Sequence, residues 1–169
     1  MATIPTSVAS TTTSFQPAYQ RVQQQGDFDC AFACIAMITG KTLDEIRQLA
    51  IDKFDHPAHG PYWITEHLIT ALLAHHRWVA TVYKEATSTA DLPDLAIAMV
   101  DYDPDTEIGR HTLFHRAKAS HDPKIVIEYM VDPAGWIEQS MHIRTDFDAC
   151  HPSWFIGVHP MSKPAKDGK

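Results

Sequence analysis

The chain changes its hydrophobic rhythm near the middle. From Cys30 to Thr39 almost every position is small or apolar. A helix with no polar stripe must be buried on every side. Asp29 is placed to cap its first turn with a side-chain oxygen, and Gly40 is placed to end it. Thr42-Leu43-Asp44-Glu45 follows, with Thr at the cap and Glu three residues on. That capping-box pattern opens an amphipathic helix with Leu43, Ile46, Leu49, Ala50 and Phe54 on one stripe. A third helix is predicted over about 63–76, with Ile64, Leu68, Leu72 and Leu73 inward. Beyond His76 the apolar residues come in short β-branched and aromatic runs. These predict strands over 77–83, 96–102, 111–116, 124–131 and 154–159, with a turn near Ser120-His121-Asp122-Pro123. Residues 136–147 show no clear period. Helices first and strands second point to an α+β fold rather than a wound parallel sheet.

Composition narrows this picture without redirecting it. The 169 residues are 44% hydrophobic and 21% charged, which suits one globular domain. That domain is expected over 16–160, between a disordered Ser/Thr-rich tail at 1–15 and a flexible basic tail at 161–169. A formal charge of −7 with no Lys/Arg cluster argues against nucleic acid as a partner. No apolar run approaches the roughly 20 residues that span a bilayer, so no membrane partner is expected. The first fifteen residues carry neither the basic nor the apolar region of a cleaved signal peptide. The expected location is cytoplasmic, or a host cell reached without a cleaved signal. Three cysteines, an odd number, do not make a disulfide framework and suit a reducing compartment.

One of those cysteines falls at a chemically useful position. Cys30 heads the buried helix, where free amides and the helix dipole favour a thiolate. Cys34 and Cys150 read as small core residues. A nucleophilic thiol needs a base and a group to orient it. Among eleven histidines, His111 opens a predicted strand, and the following strand ends at Asp132. In an antiparallel pair those two ends meet, so Asp132 is expected to accept the His111 Nδ1–H bond. His115 shares the His111 face and is the rival base. The glutamines ahead of Cys30 offer an oxyanion donor to work with the Cys30 amide. Gln24 lies six residues before the cysteine and Gln25 five. A zinc reading with Cys30, Cys34, His56 and His59 lacks paired CxxC spacing, so neither a metal nor a cofactor is expected.

Together these residues resemble a known family. Gln, then Asp-Cys with small apolar residues, then Ala-Cys-Ile-Ala-Met-Ile, a second helix opening Thr-Leu-Asp-Glu-Ile, a His-strand and a strand ending Asp-Pro are similar to the papain-like cysteine peptidases of the bacteriocin-processing, double-glycine leader type. The resemblance runs from about Gln23 to Ala134 and suggests a stand-alone relative. It implies a papain-like α+β fold, with N-terminal helices packed on a C-terminal antiparallel sheet and the central helix headed by Cys30. It implies that Cys30 is the nucleophile, His111 the base, Asp132 its partner and Gln24 the oxyanion donor, with Gln25 the close alternative. Where that family usually has Gly after the cysteine, this chain has Ala31, which bears on how closely a substrate backbone approaches. Trp63, at the end of the 55–62 loop, is expected to line a substrate groove. The expected activity is cysteine-dependent hydrolysis of a peptide or isopeptide bond in a protein or peptide, as in a bacterial effector. Acyl transfer, deamidation and a catalytically silent peptide-binding domain remain open alternatives.

Overall fold

Three helices lie against an antiparallel sheet in the computed structural model, which describes residues 16–59, 63–118 and 122–162. The expected tail at 1–15, the expected tail at 161–169 from residue 163 onward, Tyr62, and the Ser120-His121 part of the predicted turn fall outside the described residues. The helices are α1 (Cys30–Thr39), α2 (Leu43–Lys53) and α3 (Glu66–His75). The strands are β1 (Trp78–Ala80), β2 (Lys84–Glu85), β3 (Leu95–Asp103), β4 (Ile108–Lys118), β5 (Val126–Val131), β6 (Ile143–Arg144) and β7 (Trp154–Pro160). They run in the order β1-β7-β3-β4-β5-β6, and β2 pairs with the other half of β7. Every pairing is antiparallel. The α+β architecture is the one the hydrophobic rhythm implied. Among the described residues no helix is long and apolar enough to cross a membrane.

Local chemistry sets most of the boundaries. α1 is buried from Cys30 to Ile38, and Gly40 ends it in the left-handed conformation at φ 69°, which glycine adopts without penalty. Thr42 and Glu45 form the reciprocal capping box of α2. α3 starts later than the pattern suggested. Thr65 caps it by accepting the Leu68 N–H, which leaves Trp63 and Ile64 ahead of the helix. The predicted strand at 77–83 shrinks to three residues, because Arg77 takes a positive φ of 67° as the chain turns out of α3. β2 and β6, two residues each, lie in stretches that carry no two-residue rhythm.

The sheet is covered on both faces. Leu95, Ile97, Leu113, Tyr129, Val131, Ile156 and Val158 meet the three helices. Ala96, Ala98, Val100, Phe114, Met130 and Phe155 form a second core with Leu92 and Cys150. Each large apolar side chain taken fully out of water is worth about 1.5–3 kcal/mol. The helix-side layer therefore fixes α1, and with it Cys30, against β4. Cys34 and Cys150 are buried and free, consistent with packing roles.

Candidate active site

β4 brings His111 to the head of α1. Side chains alternate across a strand, so His111, Leu113 and His115 share the face that meets the helices. His111 is 7% exposed. Its Nδ1 lies 3.3 Å from Cys30 Sγ, and its backbone N–H donates to the same sulfur at 3.3 Å. Its Nε2 lies 2.6 Å from the hydroxyl of Tyr83. Both ring nitrogens are therefore engaged, one by a thiol and one by a phenol. His115, the rival base, is half-buried and instead bonds the Tyr129 hydroxyl at 2.9 Å.

The Asp132 expectation needs correction. Leu113 pairs with Val131, so one step further brings Asp132 level with Thr112, on the face opposite His111. There its Oδ1 accepts from Arg110 Nη1 at 2.7 Å and from the Ala134 N–H at 3.0 Å. Its Oδ2 is buried with no hydrogen-bond partner among the described residues. The strand ends do meet, but a carboxylate one residue out of phase faces the wrong side of the sheet. Arg110 also binds Asp101 at 2.5 Å and lies 5.8 Å from the Trp136 ring.

The Asp29 cap is also corrected. Its side chain makes no bond to the first turn of α1. It accepts instead from the Gly26 N–H at 2.9 Å. That turn leaves the leading amides of α1 to the thiol beside them.

No protein-family model matches this chain, and no curated protein is similar to it. Solved structures do match. The peptidase domain of Streptococcus ComA, a bifunctional ABC transporter involved in a quorum-sensing pathway, aligns with a TM-score of 0.56 at 14% identity. That match covers 85% of this chain and 99% of that one. A double-glycine motif protease from an AMS/PCAT transporter, solved in complex with its leader peptide, aligns with a TM-score of 0.55 at 11% identity. It covers 85% of this chain and 92% of that one. The chain has a papain-like cysteine peptidase fold.

Within the peptidase fold the electrostatics run against a preformed thiolate. Burial raises the Cys30 pKa; the backbone N–H groups of His111 and Ala31 and the charge of Arg110 offset only part of that rise. The low thiol pKa expected from the helix dipole is thus reversed by desolvation. Burial also lowers the His111 pKa to about 4. Burial raises Tyr83 above its ordinary range, with Cys30 and Glu66 adding to the shift. Burial thus favours the uncharged forms of the thiol, the imidazole and the phenol alike.

The remaining predicted residues lie on α1 or on the segments ahead of α1 and α3. Gln24 is the buried glutamine of the run, while Gln25 is exposed. The Gln24 backbone N–H bonds the Pro133 carbonyl at 2.9 Å, and Arg21 ties the same segment to the carbonyls of Asp132, Ala134 and Ile137. The Gln24 Nε2 donates to the Gly26 carbonyl at 2.9 Å, which leaves its second N–H. Ala31 is fully buried. Trp63 is 51% exposed and stacks edge-on against Phe28 at 4.3 Å. It borders a cleft of about 320 Å³ that also touches Met99, Glu107, Ile108, Tyr83 and His111. Gly109 lets the Met99 side chain lie against its backbone, because a Cβ there would lie 2.6 Å from that side chain. Among the described residues no group of three or more His, Cys, Asp or Glu is arranged to hold a metal. Tyr83 and Arg110 are the two residues the sequence pattern does not single out. Strand parity would have flagged Arg110. Nothing local to Tyr83 points across to His111.

Proposed function

We propose that this protein is a cysteine-dependent amide hydrolase acting on peptides. The observation that carries the reading is the 3.3 Å contact between Cys30 Sγ and His111 Nδ1 at the head of a buried helix. As the sulfur attacks the scissile carbonyl carbon, His111 Nδ1 takes the thiol proton. The carbonyl oxygen becomes an oxyanion that the Cys30 N–H and the second N–H of the Gln24 amide stabilise. Collapse of that intermediate breaks the C–N bond, and His111 returns the proton to the leaving amine. Water then attacks the thioester, giving the acid and the free thiol. With both partners neutral at rest, the thiolate forms during attack rather than before it.

A peptide substrate is supported by the leader peptide held by the AMS/PCAT protease, whose fold this chain resembles. The cleft beside His111 has apolar walls and one carboxylate, Glu107. Together with the net charge of −7, that favours a neutral or basic residue near the scissile bond.

The test is the rate at which iodoacetamide alkylates each cysteine, followed by peptide mass spectrometry. His111→Ala should slow Cys30 alkylation at neutral pH by about a hundredfold or more, the scale of general-base help. Cys34 and Cys150 should stay inert in both proteins. Equal Cys30 rates with and without His111 sink the reading.

A further inference from the structure

We infer that Tyr83, and not Asp132, is the residue that orients His111 for its work on Cys30. The inference rests on the proposed Cys30–His111 chemistry and adds the group that serves it. Three observations carry it.

The first is position. An imidazole that takes a proton at Nδ1 needs its lone pair there, so its own proton must be on Nε2. The Tyr83 oxygen lies 2.6 Å from Nε2, close enough to accept that proton's hydrogen bond and hold this tautomer. The two rings are tilted by 36° with centroids 6.2 Å apart, so the contact is through the hydroxyl rather than by stacking.

The second is anchorage. An orienting group must itself be fixed. The Tyr83 backbone N–H donates to the Glu66 carboxylate at 2.9 Å, across to the first turn of α3. The Tyr83 ring packs at the margin of the helix-side core. The phenol therefore reaches His111 from a clamped backbone.

The third is exclusion. Asp132 points to the other face of the sheet and is bound by Arg110 and the Ala134 amide. Reaching His111 Nε2 would require the end of β5 to slip by one residue. Such a slip would also turn Val131 out of the core, where it is fully buried.

The charged and titratable groups around His111 are Cys30 on α1, Tyr83 ahead of β2 and Glu66 on α3 behind it, with Arg110 next along β4 and Glu107 across the adjoining cleft. The partner on Nε2 is a neutral phenol where a carboxylate would supply a charge. A phenol can fix the direction of the ring without supporting an imidazolium. Tyr83 is thus a positioning residue, and its removal should leave the nucleophile present but poorly served.

The experiment compares wild type, Tyr83→Phe, Asp132→Asn and His111→Ala. It reads the pH profile of Cys30 alkylation by iodoacetamide, the melting temperature, and the imidazole nitrogen shifts of His111 in 15N-labelled protein. Wild type should show the Nε2-protonated tautomer, with a nuclear Overhauser contact from that proton to the Tyr83 ring. Tyr83→Phe should mix the tautomers and slow Cys30 alkylation at neutral pH by about tenfold, the worth of one hydrogen bond. Asp132→Asn should melt earlier yet keep the tautomer and the alkylation profile. The inference is overturned if Tyr83→Phe leaves both chemical readouts unchanged while His111→Ala slows alkylation. It is equally overturned if Asp132→Asn disturbs the tautomer as Tyr83→Phe does. Should Tyr83→Phe fail to fold, the wild-type spectrum decides, because absence of the contact between the Nε2 proton and the Tyr83 ring rules the inference out. A null effect of His111→Ala sinks the catalytic reading instead, and so separates the two failures.

Discussion

Two neighbouring residues of β4 live in opposite electrostatic worlds. His111 faces the helices, buried between a thiol and a phenol, with its basicity suppressed. Arg110 faces the other way, between the carboxylates of Asp101 and Asp132 and beside the Trp136 ring. One strand thickness separates the Cys30–His111–Tyr83 group from an ionic cluster. A fully buried carboxylate demands a cation and hydrogen bonds of its own, and Asp132 finds both on its own face. It is therefore not available to charge His111. Closeness in sequence brings His and Asp to the same edge of the sheet, and parity then assigns them different tasks. Damage to the ionic side should register as lost stability, and damage to the neutral side as lost chemistry.

The sharpest way to break that division is Arg110→Met. It strips the cation from a carboxylate with no solvent exposure. Removing one partner of a buried ion pair costs about 3–5 kcal/mol, because the other charge is left uncompensated. Urea unfolding should show a loss on that scale, while Cys30 alkylation in the folded variant slows only modestly, through loss of the Arg110 charge that favours the thiolate. A stable Arg110→Met protein with an unreactive Cys30 would invert the two sides.

The neutral side predicts a pH dependence. An imidazole held at about 4 in the fold, against an ordinary 6.5, is protonated more readily in the unfolded chain. Stability from this source is full above pH 6.5 and drains away as pH falls toward 4, by up to about 3 kcal/mol. His111→Gln has no such proton to bind. His56, His76 and His115 are also depressed by burial, but they act in both proteins and cancel in the difference. Urea unfolding free energies at neutral and acidic pH should therefore fall more steeply in wild type than in His111→Gln. Parallel curves would mean that His111 is not held neutral.

Much of this architecture is legible in the amino-acid sequence. The all-apolar run after Asp29 can be only a buried helix, and Thr42-Leu43-Asp44-Glu45 only a helix start. The longer strands announce themselves because their apolar runs have to be buried. What the pattern hides is long-range or small. β2 and β6 are two residues each and exist only because β7 and β5 offer free edges. The pattern puts Asp132 at the right edge but on the wrong face, since the one-residue phase depends on a register no local signal states. The helix dipole alone argues for a low thiol pKa, yet desolvation of a residue 4% exposed is the larger effect. Tyr83 reaches His111 only through the packing of three helices and a sheet.

The smallest effect tests the same division at two helix N-termini. Thr42 spends its side chain on the cap of α2, accepting the Glu45 N–H at 3.1 Å. Asp29, in the same position on α1, spends its own on Gly26 and on a loose contact to Arg47 at 3.8 Å. The helix end headed by the proposed nucleophile keeps its amides free of the Asp29 side chain, whereas that of α2 closes one with Thr42. Thr42→Ala should therefore cost about 1 kcal/mol, and Asp29→Ala no more than about 0.5 kcal/mol, the scale of a peripheral change. Thermal or urea unfolding of the two variants reads the difference. If Asp29→Ala proved the costlier, Asp29 would be capping α1 in solution. Its removal should then also quicken Cys30 alkylation, because the amides it had occupied would return to the sulfur.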